Sequence, residues 1–349
     1  MKVMHVLNSR EYTGAEKVVC QIIHAFEDTD VEMVYCSPDS ENIRMMLKQQ
    51  GVTFLPMEKL TPKELKRVIR AEKPDLIHAH DMRASFVSAL CCGKIPMISH
   101  IHNNAYDARG LSPKSVAYLL AGIRAKHIIW VSGSSYEGYL FHKLFAKKSS
   151  VLYNIIDEEE ISRKLSQDEN TYRYDMIYVG RLTYQKDPQR LMRLCARLKE
   201  RKPDLQVAIV GSGELEEEVQ ELCRELGLSD TVHFLGFQPN PIKMIHDSGA
   251  LILTSRWEGT PMCALEAMAL GTPVVSTPSD GMKDLIDSGV NGWLGETDEA
   301  LEEGLLKLFR EEDFRRTLSE KALEKFRAIN DAEGYKRAIS ECYRWGRQS

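Results

Sequence analysis

The sequence predicts two α/β domains, each built on a doubly wound parallel sheet, and three observations support this. The chain has 349 residues, which is too many for a single hydrophobic core of ordinary size. Short apolar runs alternate with amphipathic segments along nearly its whole length, which is typical of parallel sheets covered by helices. An acidic polar stretch, DEEEISRKLSQDENTYRYD, interrupts this alternation and indicates a linker between the two domains. We expect domains at 1–160 and 161–330.

Seven strands are expected in the first domain. They are KVMHVLN, VEMVYCS, VTFLPM, DLIHAH, PMISHIH, HIIWVS and SVLYNI. The clearest amphipathic segments predict helices at about 15–26, 41–50 and 61–71. Because ligands of doubly wound sheets bind beyond the carboxyl ends of the strands, the residues that follow each strand are candidates for a functional site.

The second domain repeats the alternation. Its expected strands are DMIYVGRL, LQVAIVGSG, TVHFLGF, ALILTS, TPVVST and NGWLGE. Helices are expected in DPQRLMRLCARLKER, in ELEEEVQELCRELG, in PIKMIHD and directly after ALILTS. Charged amphipathic helices follow from about residue 298 onward.

Composition excludes several classes of protein. Hydrophobic residues make up 43% and charged residues 28% of the chain, as in ordinary soluble proteins. The eight cysteines form no C-x-x-C pair, and most lie in apolar runs, which favours reduced core thiols in the cytoplasm. No apolar run approaches 18 residues, and the N-terminus shows no signal-peptide region. We expect a cytoplasmic protein that is neither secreted nor membrane-spanning.

The net charge of −5 is unevenly distributed. Residues 1–150 carry 20 Lys and Arg against 15 Asp and Glu, whereas the remaining 199 residues carry 26 against 36. Basic residues concentrate in EKLTPKELKRVIRAEKP, residues 58–74. A solvated surface helix explains this segment, and a patch for anionic lipid headgroups at the inner face of the cell membrane is the alternative.

The stretch EGTPMCALEAMALGTPVVS places an acid on either side of a helix start. Thr260 is a good N-cap and Pro261 is favoured at the first helical position, so a helix should begin there. It should end at Gly271, before a strand. The N–H groups at a helix start form an anion site. Glu258 lies just before this site, and Glu266 lies on the second turn, about 9 Å along the axis from Thr260.

Two cations follow the first strand of the second domain, and two glycines follow the next strand. Arg181 and Lys186, in RLTYQKD, can offer a fork and a point charge to a diphosphate, although surface cations at a helix start need no ligand. Gly211 and Gly213 let the backbone turn tightly in VGSGE. Because Glu216 occupies the last glycine position, this partial G-x-G-x-x-G is weak evidence for a dinucleotide.

In the first domain, two strands end in the similar segments HAHD and HIHNN. His100 and His102 point to one face of their strand, at the end where the crevice of such a sheet lies. A structural role is the default interpretation of such histidines, and His102 is the strongest candidate for a ligand contact because it is the last strand residue before a polar turn. Gly14 precedes a helix and allows close approach of the backbone to phosphate.

These residues together resemble the retaining glycosyltransferases of the GT-B fold, in glycosyltransferase group 1 and family 4. The resemblance rests on Arg181 with Lys186, the G-x-G strand end, LGF at 235–237, and the run E-G-T-P-x-x-x-L-E-A-M-A-x-G-T-P-V. It covers nearly the whole chain and is more specific in the second domain. It implies two Rossmann-like domains that face a central cleft, the first on the acceptor side and the second binding the nucleotide sugar. A last helix at 331–349 would cross back to the first domain.

The resemblance also implies roles for the matching residues. Glu258 would approach the hydroxyls of the donor sugar, and Glu266 would bind the ribose hydroxyls. Arg181 and Lys186 would stabilise the leaving diphosphate in place of a metal. His102 matches a histidine near the reacting sugar, so Glu258 and His102 are the two expected catalytic residues.

Many members of the family have glycine where this sequence has Pro261. Proline has no N–H to donate, so the amides of Met262 and Cys263 are the better candidates for phosphate binding. The other implied donor-binding positions are Gly14, Gly211, Gly213, Phe237, Gly259 and Thr260.

We therefore expect a metal-independent enzyme without a cofactor. It would move a hexosyl or N-acetylhexosaminyl group from a nucleotide sugar, with a UDP-sugar favoured, to a lipid-linked or cell-surface glycan precursor in polysaccharide biosynthesis. Peripheral contact with an anionic membrane is expected, and nucleic acid is not. A nucleotide-sugar epimerase or hydrolase of the same fold is the alternative.

Other classes fit the sequence less well. A dehydrogenase would need a glycine-rich dinucleotide turn where the first strand leads to NSREYTGAE. The stretch Asp28-Thr29-Asp30 has the letters of a metal-binding D-x-D, but it should lie between a helix and the next strand, at the wrong edge of the sheet. A non-catalytic binding protein would not need both acids and both cations.

Overall fold

The computed structural model describes residues 1–102 and 106–347. The chain divides into two compact units, which we call the first and second unit. The first consists of Met1–Ile155 together with Ala332–Ser349, and the second of Ile156–Asp331. Within the described ranges, no helix has both the length and the apolar character needed to cross a bilayer.

Seven parallel strands form the sheet of the first unit. They are β1 (Lys2–Val6), β2 (Glu32–Pro38), β3 (Phe54–Met57), β4 (Leu76–His80), β5 (Met97–Ile101), β6 (His127–Trp130) and β7 (Ser149–Val151). Their order is β3-β2-β1-β4-β5-β6-β7, so the direction of winding reverses between β1 and β4. All five positions of β4 and of β5 are buried, as expected for central strands covered on both faces.

Six helices follow these strands within the first part of the chain. They are α1 (Gly14–Ala25), α2 (Glu41–Gln49), α3 (Pro62–Glu72), α4 (Asp81–Ala89), α5 (Pro113–Arg124) and α6 (Gly133–Glu137), with 3-10 turns at Tyr106–Ala108 and His142–Lys148. The first three match the predicted helices to within a residue or two. The polar turn expected after His102 falls on residues 103–105, outside the described residues.

The second unit contains six parallel strands. They are β8 (Met176–Val179), β9 (Val207–Val210), β10 (Val232–Phe234), β11 (Leu251–Leu253), β12 (Val274–Ser276) and β13 (Trp293–Leu294). Their order, β10-β9-β8-β11-β12-β13, repeats that of the first sheet, and winding reverses between β8 and β11. Both sheets therefore have the predicted doubly wound architecture.

The helices of the second unit are α7 (Glu158–Ser166), α8 (Pro188–Arg201), α9 (Glu216–Glu225), α10 (Ile242–His246), α11 (Met262–Ala269), α12 (Asp280–Leu285), α13 (Asp298–Arg310) and α14 (Glu312–Ile329). A last helix, α15 (Ala332–Arg347), belongs to the first unit and packs on β5 and β6.

The prediction of a linker at DEEEISRKLSQDENTYRYD was wrong for its first half, which forms α7. Asp157 caps this helix, since its Oδ1 accepts hydrogen bonds from the amides of Glu159 and Glu160 at 2.9 and 3.0 Å. Three glutamates occupy the first turn, where they interact favourably with the helix dipole. An acidic segment of the kind that is typical of a linker can thus also favour the start of a helix.

Candidate active site

The predicted donor-binding residues of the second unit lie around the point where the winding of its sheet reverses. Arg181 and Lys186 follow β8, and Glu258 follows the neighbouring strand β11. The carboxyl ends of adjacent strands that wind in opposite directions leave a crevice between their loops. The sheet order therefore brings together side chains that are 72 residues apart in the chain.

Two glycines hold the loops after β8 and β9 against each other. A Cβ at Gly211 would lie 2.0 Å from the carbonyl oxygen of Gly180, and one at Gly213 would lie 2.3 Å from that of Leu182. Gly211 also has a φ of +133°, which side chains rarely allow. These glycines are thus required by backbone contact, and this contact sets the path of the segment that carries Arg181.

The loop from Arg181 to Asp187 is tied to the loop after β11. The hydroxyl of Thr254 donates to the carbonyl oxygens of Lys186 and Asp187 at 3.1 and 3.0 Å. The guanidinium of Arg256 lies 2.9 Å from the buried carboxylate of Asp187, which has a left-handed φ of 50°. These contacts fix the position of Lys186 from both sides.

Lys186 and Glu258 form a buried ion pair. Lys186 Nζ lies 2.5 Å from Glu258 Oε1, and the side chains are 13% and 5% exposed. The hydroxyl of Ser255 donates to the same oxygen at 2.5 Å. Burial, and next the charge of Glu258, raise the pKa of Tyr178 well above its usual value. The sequence assigned this cation and this acid to different parts of a donor, whereas the structure joins them directly.

The helix α11 begins one residue later than the sequence predicted. Pro261 occupies the capping position in an extended conformation, and Met262 is the first helical residue. The amides of Ala264 and Leu265 donate to the Pro261 carbonyl, so those of Met262 and Cys263 point out of the helix start. The helix ends before Gly271, whose φ is +70°. The displacement leaves the predicted phosphate-facing amides in place.

Glu266 lies on α11, four residues after its start or about 6 Å along the axis. Its side chain is only 4% exposed, and Glu258 is equally buried. Two buried acids therefore stand before and behind the start of one helix, as the sequence predicted.

The structure adds a residue that the sequence did not identify. A Cβ at Gly281, in the first turn of α12, would lie 1.2 Å from the carbonyl oxygen of Gly259. Its amide donates to the carbonyl of Glu258 at 3.4 Å. Only glycine fits there, so α12 supports the Gly259–Thr260 turn from behind. The letters S-D-G in the sequence indicate a turn, but they do not reveal which segment that turn packs against.

Phe237 and Arg181 are the exposed members of the predicted set in the second unit. Phe237 follows β10 and is 41% exposed. The carbonyl of the adjacent Gly236 accepts from the amide of Gly211 at 2.8 Å, so the loops after β9 and β10 are also joined. Both side chains are thus open to solvent at the carboxyl edge of the sheet.

His102 lies in the first unit, at the end of a cluster of five buried histidines on one face of the sheet. The cluster consists of His5, His78, His80, His100 and His102. Parallel register places His5 beside His78 and His80 beside His100. The rings of His78 and His80 and those of His100 and His102 stack at 4.3 and 4.2 Å. The sequence located two pairs of these histidines at the ends of strands, but it did not predict which of the five would lie side by side in the sheet.

Hydrogen bonds join three of these rings in a chain. His5 Nδ1 lies 3.0 Å from His80 Nε2, and His80 Nδ1 lies 2.8 Å from His102 Nε2. His78 Nδ1 lies 2.9 Å from the hydroxyl of Tyr343, on α15. Among the described residues, neither ring nitrogen of His100 has a hydrogen-bond partner.

Burial lowers the pKa of every histidine in the cluster. The pKa is about 3 for His5 and His102, and it lies well below the usual value for His78, His80 and His100, where neighbouring imidazoles lower it further. All five rings are therefore neutral at pH 7.

Some of these nitrogens are close enough to suggest a metal site. His5, His78 and His80, or His80, His100 and His102, offer one ring nitrogen each within 4.8 Å of the others. In a tetrahedral zinc site, two nitrogen ligands would lie about 3.3 Å apart. The hydrogen-bonded contacts of 2.8 and 3.0 Å are shorter than this. We interpret the cluster as hydrogen-bonded imidazoles and assign no metal to it.

Gly14, also in the first unit, is the first residue of α1 and not part of a free loop. Thr13 caps the helix, and both its amide and its hydroxyl donate to Glu16 Oε2 at 2.9 and 2.7 Å. Burial raises the pKa of Glu16. The structure thus places Gly14 at a helix start after β1, at the reversal point of the first sheet.

Comparison with known proteins gives the family. The model of glycosyl transferases group 1 matches residues 157–325, and that of glycosyltransferase family 4 matches residues 12–160. An uncharacterized glycosyltransferase of Methanocaldococcus jannaschii is 31% identical over 232 residues, which cover 60% of this chain and only 57% of that protein. The lipopolysaccharide 1,6-galactosyltransferase of Salmonella typhimurium is 26% identical over 300 residues, which cover 81% of this chain and 82% of the relative.

The crystal structure of Anabaena HepE in complex with UDP-glucose has the same fold. It superposes with a TM-score of 0.85 over 98% of both chains, at 22% identity. The two family models together account for residues 12–325, and the structure contains both sheets of the fold. The chain therefore belongs to the group 1 glycosyltransferases and has the GT-B fold.

Proposed function

We propose that this protein is a retaining, metal-independent glycosyltransferase. It moves a hexosyl or N-acetylhexosaminyl group from a nucleotide sugar to a lipid-linked or cell-surface glycan precursor. The observation that carries the proposal is the buried Lys186–Glu258 pair at the reversal point of the second sheet, four residues before α11 begins. It concentrates a cation, two acids and a helix start where such sheets bind ligands.

In the proposed complex, the donor diphosphate lies at the start of α11, against the amides of Met262 and Cys263. Lys186 and Arg181 stabilise the negative charge that develops on the leaving group, which is the task of a metal in other transferases. Binding of the diphosphate makes Lys186 exchange part of its contact with Glu258, while Ser255 continues to hold that carboxylate.

The two acids would bind different parts of the donor. Glu266, on the second turn of α11, accepts hydrogen bonds from the ribose. Glu258 lies beside the sugar, where positive charge grows at the anomeric carbon as the bond to phosphate breaks. In a retaining reaction on one face of the sugar, the leaving phosphate takes the proton of the acceptor hydroxyl, so Glu258 needs no role as a general base. For His102, which is neutral at pH 7, the resemblance implies a role near the reacting sugar.

A UDP-sugar is the favoured donor, because the fold of HepE is shared and its structure contains UDP-glucose. The Salmonella relative, named a lipopolysaccharide galactosyltransferase, supports a lipid-linked acceptor. A nucleotide-sugar epimerase or hydrolase of the same fold is the second candidate. It would consume the donor without an acceptor.

The first test is a thermal-shift panel of UDP, GDP, ADP and their sugars. A ligand at 100 times its dissociation constant stabilises by about 2.7 kcal/mol, which raises the Tm of a unit of this size by about 5–11 °C. Lys186→Ala should abolish the shift, and Lys321→Ala, an exposed lysine on α14, should preserve it. No shift with any nucleotide in the unmodified protein would contradict the proposal.

The second test follows the sugar. Transfer in EDTA, with the anomeric configuration of the donor kept in the product by NMR, is the expected result. Activity that requires added manganese would overturn metal independence, and an inverted product would overturn retention. Complete release of free or epimerised sugar without acceptor would favour the second candidate.

A further inference from the structure

The first unit exposes an apolar surface along α5. Val116, Leu120 and Ile123 are 43%, 54% and 64% exposed, and Leu90, at the end of α4, is 50% exposed. We call these four residues the α5 surface. Six of the thirteen large hydrophobic residues that are exposed in the described structure lie between 111 and 144. Such a concentration is unusual on a surface that faces only water.

The spacing of these residues shows that α5 is apolar on two sides. Val116, Leu120 and Ile123 follow one another at steps of four and three, so they lie on one face of the helix. The residues directed to the core are Ser115, Tyr118, Ala121 and Gly122. A surface helix normally has a polar outer face, so the outer face of α5 is built for a second apolar environment.

The α5 surface continues into a groove of about 630 Å³. Its apolar lining comes from α4 and α5, and includes Leu90, Leu120 and Ile123 together with Phe86 and Ala89. Arg124, Lys126 and Lys148 line its other side. An apolar face bordered by cations matches an amphiphile with an anionic headgroup.

These cations are not neutralised by acids. Residues 113–148 contain six Lys and Arg and one Glu. Within the described part of the chain, no ion pair involves Arg124, Lys126, Lys143, Lys147 or Lys148. Burial, and next the charge of Lys126, lower the pKa of Lys148. The patch therefore attracts anions more strongly than a typical surface.

Two of the cations are fixed beside the apolar residues. Lys148 Nζ donates to the carbonyls of Ala125 and Ile123 at 2.7 and 3.1 Å, at the C-terminal end of α5. Arg124 reaches the carbonyl of Ile95 at 3.5 Å and also that of Gly93. Their charge therefore stays at one end of the apolar face.

We propose that the α5 surface is the membrane-docking surface of the protein, with Leu120 and Ile123 inserted at the level of the headgroups and the cations against anionic phosphates. Apolar insertion combined with basic residues is how interfacial helices bind anionic bilayers. The proposal rests on the proposed function in one respect, since a lipid-linked acceptor would place the enzyme at a membrane. The proposal assigns the membrane contact to the α5 surface and not to the basic segment at 58–74.

The helix in that basic segment, α3, is a weaker candidate. Its apolar residues Leu65, Val68 and Ile69 are all buried. Arg67 pairs with Glu64 at 3.1 Å. Because α3 exposes no large hydrophobic side chain, it offers mainly electrostatic attraction, which salt screens.

The test compares matched variants by flotation with vesicles of phosphatidylcholine and phosphatidylglycerol at 7:3, a mixture that contains no glycan acceptor. The whole protein should bind, and Leu120→Ser/Ile123→Ser should lower the partition coefficient at least tenfold. Lys63→Gln/Lys66→Gln, on α3, should change it less than twofold. Since Leu120 and Ile123 are more than half exposed, the variant should fold, and circular dichroism and an unchanged Tm check this.

Three results would overturn the proposal. They are equal binding by the Leu120→Ser/Ile123→Ser variant, loss of binding in the α3 variant alone, and no vesicle binding by the whole protein. In the last case, a dimer in size-exclusion chromatography that the Leu120→Ser/Ile123→Ser change dissociates would identify the α5 surface as a contact between two copies. Nucleotide binding by the second unit is measured separately, so failure here leaves the proposed function intact.

Discussion

Lowering the pH should unfold the first unit, because the five buried histidines of the cluster cannot take up protons while it stays folded. The ordinary pKa of histidine is about 6.5, so the unfolded chain binds these protons as the pH falls below that value. The folded unit does not, since its histidine pKa values lie at about 3 for His5 and His102 and well below 6.5 for the other three. Stability is therefore complete above pH 6.5 and is lost as the pH falls.

The size of the effect follows from proton linkage. At pH 5.5, each histidine favours unfolding by about 1.4 kcal/mol, and five of them by about 7 kcal/mol. This is comparable to the whole stability of a typical domain, about 5–15 kcal/mol. Two other titratable groups face the cluster, Tyr343 from α15 and Asp81 through the amide of His102. Elsewhere in the unit, burial lowers the pKa of His127 to about 4, which adds to the effect. Glu16 has a raised pKa and offsets at most one proton.

Hydrogen exchange of amides in β4 and β5, corrected for the pH dependence of the intrinsic rate, measures this loss in the first unit alone. The free energy of opening should fall by several kcal/mol between pH 7.5 and 5.5. His100→Leu removes one buried imidazole without breaking a hydrogen bond to a described residue, so it should reduce the fall in opening free energy between the two pH values by about 1.4 kcal/mol. His246→Gln, in the second unit, is the control. Opening free energies that agree within about 1 kcal/mol at the two pH values would refute the reasoning.

Three further predictions concern the two units. Glu266→Gln should mainly raise the KM for the donor, because a ribose contact hardly changes during reaction, whereas Glu258→Gln should mainly lower kcat. Equal loss of turnover by both variants, with unchanged binding of nucleoside diphosphate, would contradict the assigned roles. Gly281→Ala should lower the Tm of the second unit by about 2–12 °C, because overpacking costs about 1–3 kcal/mol, while Gly133→Ala, which faces open space, should not. Tyr343→Phe removes the hydroxyl on His78 and should destabilise the first unit by about 1–3 kcal/mol in urea denaturation, and no change would show that this hydrogen bond is dispensable.

The sequence predicted most of the fold because its strands and helices have distinct periods. It placed both acids around α11 and both cations after β8, since these positions depend on local chain direction. It could not show that Lys186 and Glu258 touch, because their contact depends on which strands become neighbours. The same limit applies to His5, which joins the cluster only through the pairing of β1 with β4.

The predicted start of α11 was one residue too early. Thr260 and Pro261 are both acceptable at a helix start, and propensity alone does not choose between them. The outer face of α5 was missed for a different reason. Leu120 and Ile123 match a core pattern as well as a membrane-facing one, and periodicity does not reveal which side of a helix is covered.

The discontinuity of the first unit has a consequence for the order of events during synthesis. Its sheet is encoded by residues up to Ile155, but α15, which packs on β5 and β6, begins at Ala332. The buried side chains of this helix include Ile339 and Tyr343, the partner of His78. At about 5–20 residues per second, the ribosome needs roughly 10–40 s to translate the intervening chain. During that interval, the part of β5 and β6 that α15 later covers lacks its partner helix. The chain of the second unit is therefore fully synthesised before that of the first.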